Sequence, residues 1–311
     1  NVSGTGWAAW DLAAFTTYLA CFSRLALKSS HAAKLFNAVQ KAKVSWQRIQ
    51  PQLQPVKIPD STLPPTAGPA ELKLEDLSFA YPHQPPLFEH VSFQVHAGQI
   101  IGITGPLACG KSTLGRLLLG ELPYAGSLRI NGLEIAQLNS AQISHLVGYL
   151  GHAPQLLSDT IEENIQLGED LDCAPWLKLT ALEEEVAAMP EGLKTQIGAQ
   201  GTRLSGGQQA RLALARTLAR PRPVWVLDDP FSAVDPATED VILRNLRELG
   251  KDRIILLISH RLTHFAQFDQ VLWLENGTAR IADPATMMAE NPAYARLVKT
   301  QQKKAGDDDE K

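Results

Sequence analysis

The sequence predicts an α/β fold: a largely parallel core sheet, with an antiparallel β-subdomain packed beside it. Three observations carry this. From about residue 70 onward, strand-like and helix-like stretches alternate, the order that builds a parallel sheet covered by helices. Ile100, Ile101 and Ile103, residues 223–228 (PVWVLD) and residues 253–258 (RIILLI) form short apolar runs of the kind buried on both faces of a sheet. Residues 71–81 (ELKLEDLSFAY) and 91–95 (VSFQV) instead alternate apolar and polar, as antiparallel strands with one covered face do.

The chain has 311 residues, 44% hydrophobic and 20% charged, with a net charge of −4. That is room for one large domain or two modest ones. A near-neutral balance gives no electrostatic footprint for nucleic acid. Cys21, Cys109 and Cys173 are far apart and form neither a metal pattern nor a disulfide framework, which suits the reducing cytosol.

The first residue is Asn, so the chain reads as a fragment or processed product. Residues 7–27 (WAAWDLAAFTTYLACFSRLAL) are mostly apolar and predict a membrane helix, interrupted by Asp11 and Arg24. An amphipathic soluble helix is the alternative. No basic stretch precedes it, so it is not a signal peptide. A helical register continues through Leu35, Val39, Ala42, Trp46 and Ile49, now among Lys28, Lys34, Lys41, Lys43 and Arg48, as for a span emerging on the cytoplasmic side. Residues 1–50 are thus expected to be the last helix of a membrane domain with its cytoplasmic extension. Residues 51–69 hold six prolines and predict an extended linker. A domain is expected over 70–302, followed by a disordered acidic tail at 303–311 with Asp307, Asp308, Asp309 and Glu310.

Inside the domain, residues 127–131 and 146–150 read as short strands. Residues 170–190 are helical in pattern, with Glu183, Glu184 and Glu185 as a solvated face. Residues 208–219 (QQARLALARTLA) make a strong helix stopped by Pro221 and Pro223, and a last helix falls near 292–302.

The chemistry starts at residues 101–113 (IGITGPLACGKST). Gly105 to Ser112 match G-x-x-x-x-G-K-[ST] between an apolar strand and a helix start, the context a phosphate-binding loop needs. The turn aims backbone N–H groups, those of Cys109, Gly110 and Thr113 among them, at one point, where the helix N-terminus adds partial positive charge. Lys111 would reach the β- and γ-phosphates of ATP, and Ser112 would bind Mg²⁺. Asp228, ending the run VWVLD, is placed to hold the Mg²⁺ shell, and Asp229 to orient the attacking water. Taken alone, Asp228 reads equally as a helix cap or turn residue.

Between these motifs lies Leu204-Ser205-Gly206-Gly207-Gln208-Gln209, which resembles the signature motif of ABC-transporter ATPase domains; residues 70–300 resemble that domain throughout. On its own the stretch would pass for a turn and N-cap. The resemblance implies a P-loop NTPase core, a helical signature subdomain, and a dimer that sandwiches two ATP molecules. Ser205, Gly206, Gly207 and Gln208, with the D-loop residue Asp235 in SAVD, would face the ATP of the partner. Tyr81 falls where the family stacks an aromatic on adenine, or else is a core tyrosine of the first hairpin. Gln155, in GHAPQLLSDTIEENI, resembles the Q-loop glutamine that joins Mg²⁺ to the membrane coupling surface. His260, in LLISHR, resembles the switch histidine at the γ-phosphate. No role falls to His83, His145 or His264.

The exporter branch is the best match, with its ATPase domain fused behind a membrane domain in the cell (inner) membrane. LLSDTIEENI and MPEGLKTQIGAQGTRLSGG resemble the exporter pattern. Two departures stand out. Asp229 replaces the usual Glu, and Ala199-Gln200-Gly201 lacks the Glu that exporters tend to carry before that Gly. An Asp is one methylene shorter, and a displacement of about 1 Å can cost on the order of 100-fold in rate. An Asp beside an intact signature implies one half of a heterodimeric exporter, favoured over a homodimer. A nucleotide-gated module that does not hydrolyse is the alternative. An importer ATPase would lack the fused helix, and an unrelated kinase would lack LSGGQ.

Overall fold

The computed structural model describes residues 12–53, 60–64, 68–153 and 155–309. The chain divides into two compact units, residues 1–58 and 59–311.

Among the described residues, the first unit holds one long helix, α1 (Leu12–Ile49), of 38 residues. At 1.5 Å per residue it spans about 57 Å. No Gly or Pro interrupts it, and Pro51 stops it, leaving a single 3₁₀ turn at Gln50–Leu53. Phe15, Leu19, Phe22, Leu25, Leu35, Phe36 and Trp46 lie exposed along it. Among the described residues, no helix is long and apolar enough to cross a membrane. Of the span expected at 7–27, residues 7–11 lie outside the described ones; in the part that α1 describes, Thr16, Thr17, Ser23 and Arg24 dilute the apolar character.

The second unit holds two sheets. Strands β1 (Glu71–Ala80), β2 (Pro86–His96), β4 (Ala125–Ile130) and β5 (Leu133–Glu134) form an antiparallel sheet in the order β2-β1-β4-β5. The other sheet comprises β3 (Ile100–Thr104), β6 (Val147–Leu150), β7 (Val224–Asp228), β8 (Ile254–Ile258), β9 (Gln270–Glu275) and β10 (Thr278–Ala282). Its order is β10-β9-β3-β8-β7-β6, parallel throughout except where β10 turns back along β9. Every residue of β3, β7 and β8 is buried, which is why these strands read as unbroken apolar runs.

The parallel sheet separates two cores. Ile101, Ile103, Val226 and Leu256 point toward the antiparallel sheet and the helix α2 (Lys111–Leu118). Ile100, Trp225, Leu227 and Leu257 point the other way. There they meet α4 (Ile161–Gln166), α5 (Ala174–Leu179), α7 (Gly206–Leu218), α8 (Pro236–Leu249) and α9 (Pro284–Glu290). Successive strand residues face opposite sides, so one short strand serves both cores.

Three details depart from the sequence reading. The domain takes hold before residue 70. Asn139 and Gln142, the capping box of the one-turn helix α3 (Ser140–Ile143), donate their side-chain amides to the carbonyls of Asp60 (2.9 Å) and Thr62 (2.8 Å). Leu63 packs on the core beside them, while residues 54–59 and 65–67 of the linker lie outside the described ones. The helical stretch at 170–190 is broken into α5 and α6 (Glu183–Ala187) by Ala181, whose φ of 53° no α-helix accommodates. The last helix, α10 (Pro292–Asp309), runs on through Asp307, Asp308 and Asp309, where the sequence predicts disorder. Lys, Gln and Ala at 301–305 are good helix formers and carry it forward.

Candidate functional site

Parallel pairing brings the chemistry to one edge. Ile103 aligns with Ile258, Asp228 with Ile258, and Leu150 with Leu227. The chain segments that follow β3, β6, β7 and β8 therefore leave the sheet side by side. They carry the glycine-rich loop, His152, Asp228–Asp229 and His260. Ligands of open α/β sheets bind at this carboxyl edge.

The loop is forced into shape by its glycines. Gly105 has a φ of 154°, and a Cβ there would lie 2.1 Å from the carbonyl oxygen of Leu274. Gly110 has a φ of 98°, and its Cβ would strike the Phe88 ring. The helix α2 starts directly after Gly110 with no side-chain cap. Lys111 is buried, and its ammonium donates to the carbonyls of Gly105 (3.1 Å) and Pro106 (2.9 Å). Cys109 lies 3.7 Å from that ammonium, and burial pushes its thiol up despite the lysine charge. Ser112 is exposed at the helix start. The hydroxyls of Thr113 and Tyr81 are 3.1 Å apart, which ties α2 to the end of β1, and Tyr81 meets Phe79 edge-on.

Asp228, buried at the end of β7, accepts a long hydrogen bond from the Tyr149 hydroxyl (3.4 Å). Burial and that carboxylate push Tyr149 up to about 12. Asp229 takes a left-handed conformation with φ 52°, uncommon outside glycine, and donates its N–H to the carbonyl of Ile258 (2.8 Å). Its carboxylate is flanked on both sides: Ser259 Oγ lies 3.5 Å from Oδ1, and His152 Nδ1 lies 3.6 Å from Oδ2. Sequence reading missed His152. Its signal is positional, two residues past β6, which puts it level with Asp229 in the β6–β7 register. Gln155 is exposed three residues further on, and its carbonyl accepts from Arg216 (2.8 Å). A cleft of about 370 Å³ is lined by Gly151, His152, Gln155, Gly206, Asp229 and Ala233, among others.

The signature turn is built differently. Ser205 caps α7: its hydroxyl accepts from the Gln208 N–H (3.2 Å), and the Gln208 side chain accepts from the Ser205 N–H (2.9 Å). Gln208 also donates to Glu185 (2.7 Å), and Glu185 pairs with buried Arg211 (2.6 Å). The acidic run is thus only partly a solvated face: Glu183 and Glu184 are exposed, but Glu185 anchors the signature helix. Gly207 is packed so closely that a Cβ would lie 2.9 Å from the Ala233 carbonyl oxygen. Asp235 caps α8 by accepting from the Thr238 N–H (2.9 Å), and this bond lowers its carboxyl.

His260 is exposed just beyond β8. Beneath it lies a second group of side chains that sequence reading left unassigned. Arg261 pairs with Glu239 (3.1 Å) and donates to the carbonyls of Phe231 and Val234. His264 stands between Glu239 (3.5 Å) and Asp240 (3.3 Å). Burial pushes Glu239 up to about 7, against the pull of Arg261, and pushes His264 down.

Among the described residues, no group of three or more His, Cys, Asp or Glu could hold a metal by itself. An exposed hydroxyl at Ser112 and one buried carboxylate at Asp228 do suit Mg²⁺. That ion takes one or two protein oxygens and fills its shell with substrate phosphate and water.

Comparison with known proteins agrees with this geometry. Residues 88–232 match the family described as ABC transporter. The multidrug resistance-like ATP-binding protein MdlA of Escherichia coli (strain K12) is 30% identical over 283 residues, covering 88% of this chain and 48% of that protein. The ATM1-type heavy metal exporter of Novosphingobium aromaticivorans is 33% identical over 233 residues, 72% of this chain and 38% of that one. Among solved structures, a bacterial Atm1-family ABC exporter with ATP bound superimposes with a TM-score of 0.79 at 26% identity, over 96% of this chain and 55% of that chain. The chain thus spans about half the length of such relatives. With the phosphate loop, the aspartate pair and the signature turn in place on this fold, the chain belongs to the ABC transporter family.

Proposed function

We propose that this chain is the ATP-binding and ATP-hydrolysing part of an ABC exporter, working in a dimer and driving a membrane domain. The observation that carries the reading is the shared sheet edge, where Lys111, Asp228, Asp229 and His260 leave neighbouring strands. Lys111 would meet the terminal phosphates, and Ser112 and Asp228 would hold Mg²⁺, which lowers the barrier by drawing charge from the phosphates. Gln155 would join that shell, and Tyr81 would stack on adenine. Ser205, Gly206, Gly207, Gln208 and Asp235 would serve an ATP held by the partner. The exposed apolar residues of α1 are the surface a membrane domain would cover, which supports an assembly in the cell membrane with its ATPase domain on the cytoplasmic side.

The preferred partner is a second, different exporter half. Asp229 is short for a base, so the chain's own site binds ATP and turns it over slowly, while its intact signature completes a faster site on the partner. The test is ATP hydrolysis by the purified full-length protein alone. Slow turnover is expected, rising on the order of 100-fold in Asp229→Glu. Hydrolysis at ordinary exporter rates by the unmodified protein would favour the homodimer.

A further inference from the structure

The loop that carries His260 is held from two directions. On one side, Arg261 reaches across to Phe231, Val234 and Glu239. On the other, the side-chain amide of Gln301 spans the loop. Its Nε2 donates to the carbonyl of His260 (2.7 Å), and its Oε1 accepts from the N–H of Leu262 (2.8 Å). Both distances are those of well-made hydrogen bonds. One planar amide thereby fixes the two peptide groups on either side of Arg261. Gln301 belongs to α10, 41 residues further along the chain than His260, so this is tertiary pinning and not local turn chemistry.

We propose that Gln301 is a positioning residue for the ATP site: through it, the C-terminal helix sets where the His260 side chain stands relative to the terminal phosphate. The proposal rests on the nucleotide reading above and extends it to a helix outside the four motif-bearing segments. His260 is exposed, and among the described residues its side chain has no hydrogen-bond or ion-pair partner, so its direction is inherited from its backbone. Freeing the amide bonds lets the 259–262 loop relax, and a displacement near 1 Å is enough to lose a phosphate contact. Because His260 would meet only the γ-phosphate, the loss falls on ATP and spares ADP.

The test uses the full-length protein, with equilibrium binding of ATP and ADP to the unmodified form, Gln301→Met, His260→Ala and the double variant. Methionine keeps the length and packing of Gln301 and removes both hydrogen bonds. The expected result is an ATP Kd raised about 5- to 10-fold in Gln301→Met, as for one or two lost hydrogen bonds, with the ADP Kd unchanged within about twofold. The double variant should bind ATP as His260→Ala does, because the two residues act in series. Equal weakening of ATP and ADP, or effects that multiply in the double variant, would overturn the proposal, since a merely structural role gives those results. If Gln301→Met fails to fold, Gln301→Glu serves: it keeps the acceptor for Leu262, loses the donor to His260, and should show the same selective loss. Failure of the unmodified protein to bind ATP would instead sink the nucleotide reading itself.

Discussion

Two glycine-rich turns of this chain open helices, and they do so in opposite ways. The turn at Gly105–Gly110 leads into α2 with no side-chain cap, so the first N–H groups of that helix are left for a ligand. The turn at Ser205–Gly207 leads into α7 behind a complete capping box, with Glu185 of the neighbouring helix α6 bracing it through Gln208 and Arg211. The first leaves an uncapped helix start that suits an anion. The second is complete as folded and can present itself to a site elsewhere. On the proposed function, one chain would hold ATP in one place and offer a finished surface to ATP held in another.

That contrast can be broken or sharpened by substitution. The largest effect is expected from Gly207→Ala. Its Cβ would press on the Ala233 carbonyl, a backbone atom that must move. Hydrolysis by the assembled transporter should fall on the order of 100-fold, while ATP affinity of the chain's own site stays unchanged. A fall in that affinity would mean the two turns are not separate. Glu185→Ala comes next. It strands buried Arg211, but Glu185 is partly exposed, so a loss of about 1–2 kcal/mol in chemical denaturation is expected. Ser205→Ala removes only the cap and should cost about 1 kcal/mol by the same measurement.

The smallest effect concerns pH. Burial raises Glu239 from 4.5 to about 7. Between those values the folded chain keeps a proton the unfolded chain has released, so stability from this group is fully present below pH 4.5 and is lost as pH rises through 7. His264, pushed down, works the other way at the acid end of the range. Glu239→Gln holds the site neutral at every pH, so its denaturation midpoint should drop less than that of the unmodified protein between about pH 5 and pH 8. An unchanged slope would show that Glu239 stays charged.

Much of this was legible in the sequence because it depends on local chemistry. The loop at 105–112 declares itself by spacing, and β3, β7 and β8 by unbroken apolar runs that only a strand covered on both faces can afford. What was not legible depends on tertiary neighbours. Glu185 looks like its exposed neighbours Glu183 and Glu184, and only the packing of α6 on α7 brings it to Arg211. His152 gains its place from strand register, and Gln301 from a helix that returns across the sheet edge. The membrane span expected at 7–27 begins in residues 7–11, outside the described ones; within α1, Thr, Ser and Arg side chains lower the apolar content, a quantity that helical register does not report.

Equilibrium binding of ATP to the full-length protein, compared between Lys111→Ala and Ser205→Ala, bears most directly on the division of labour between the two turns. Lys111→Ala should weaken binding at the chain's own site about 100-fold, as expected for a lost charge-assisted contact to phosphate, and Ser205→Ala should leave it within about twofold. Equal weakening by the two substitutions, or binding indifferent to Lys111, would contradict it.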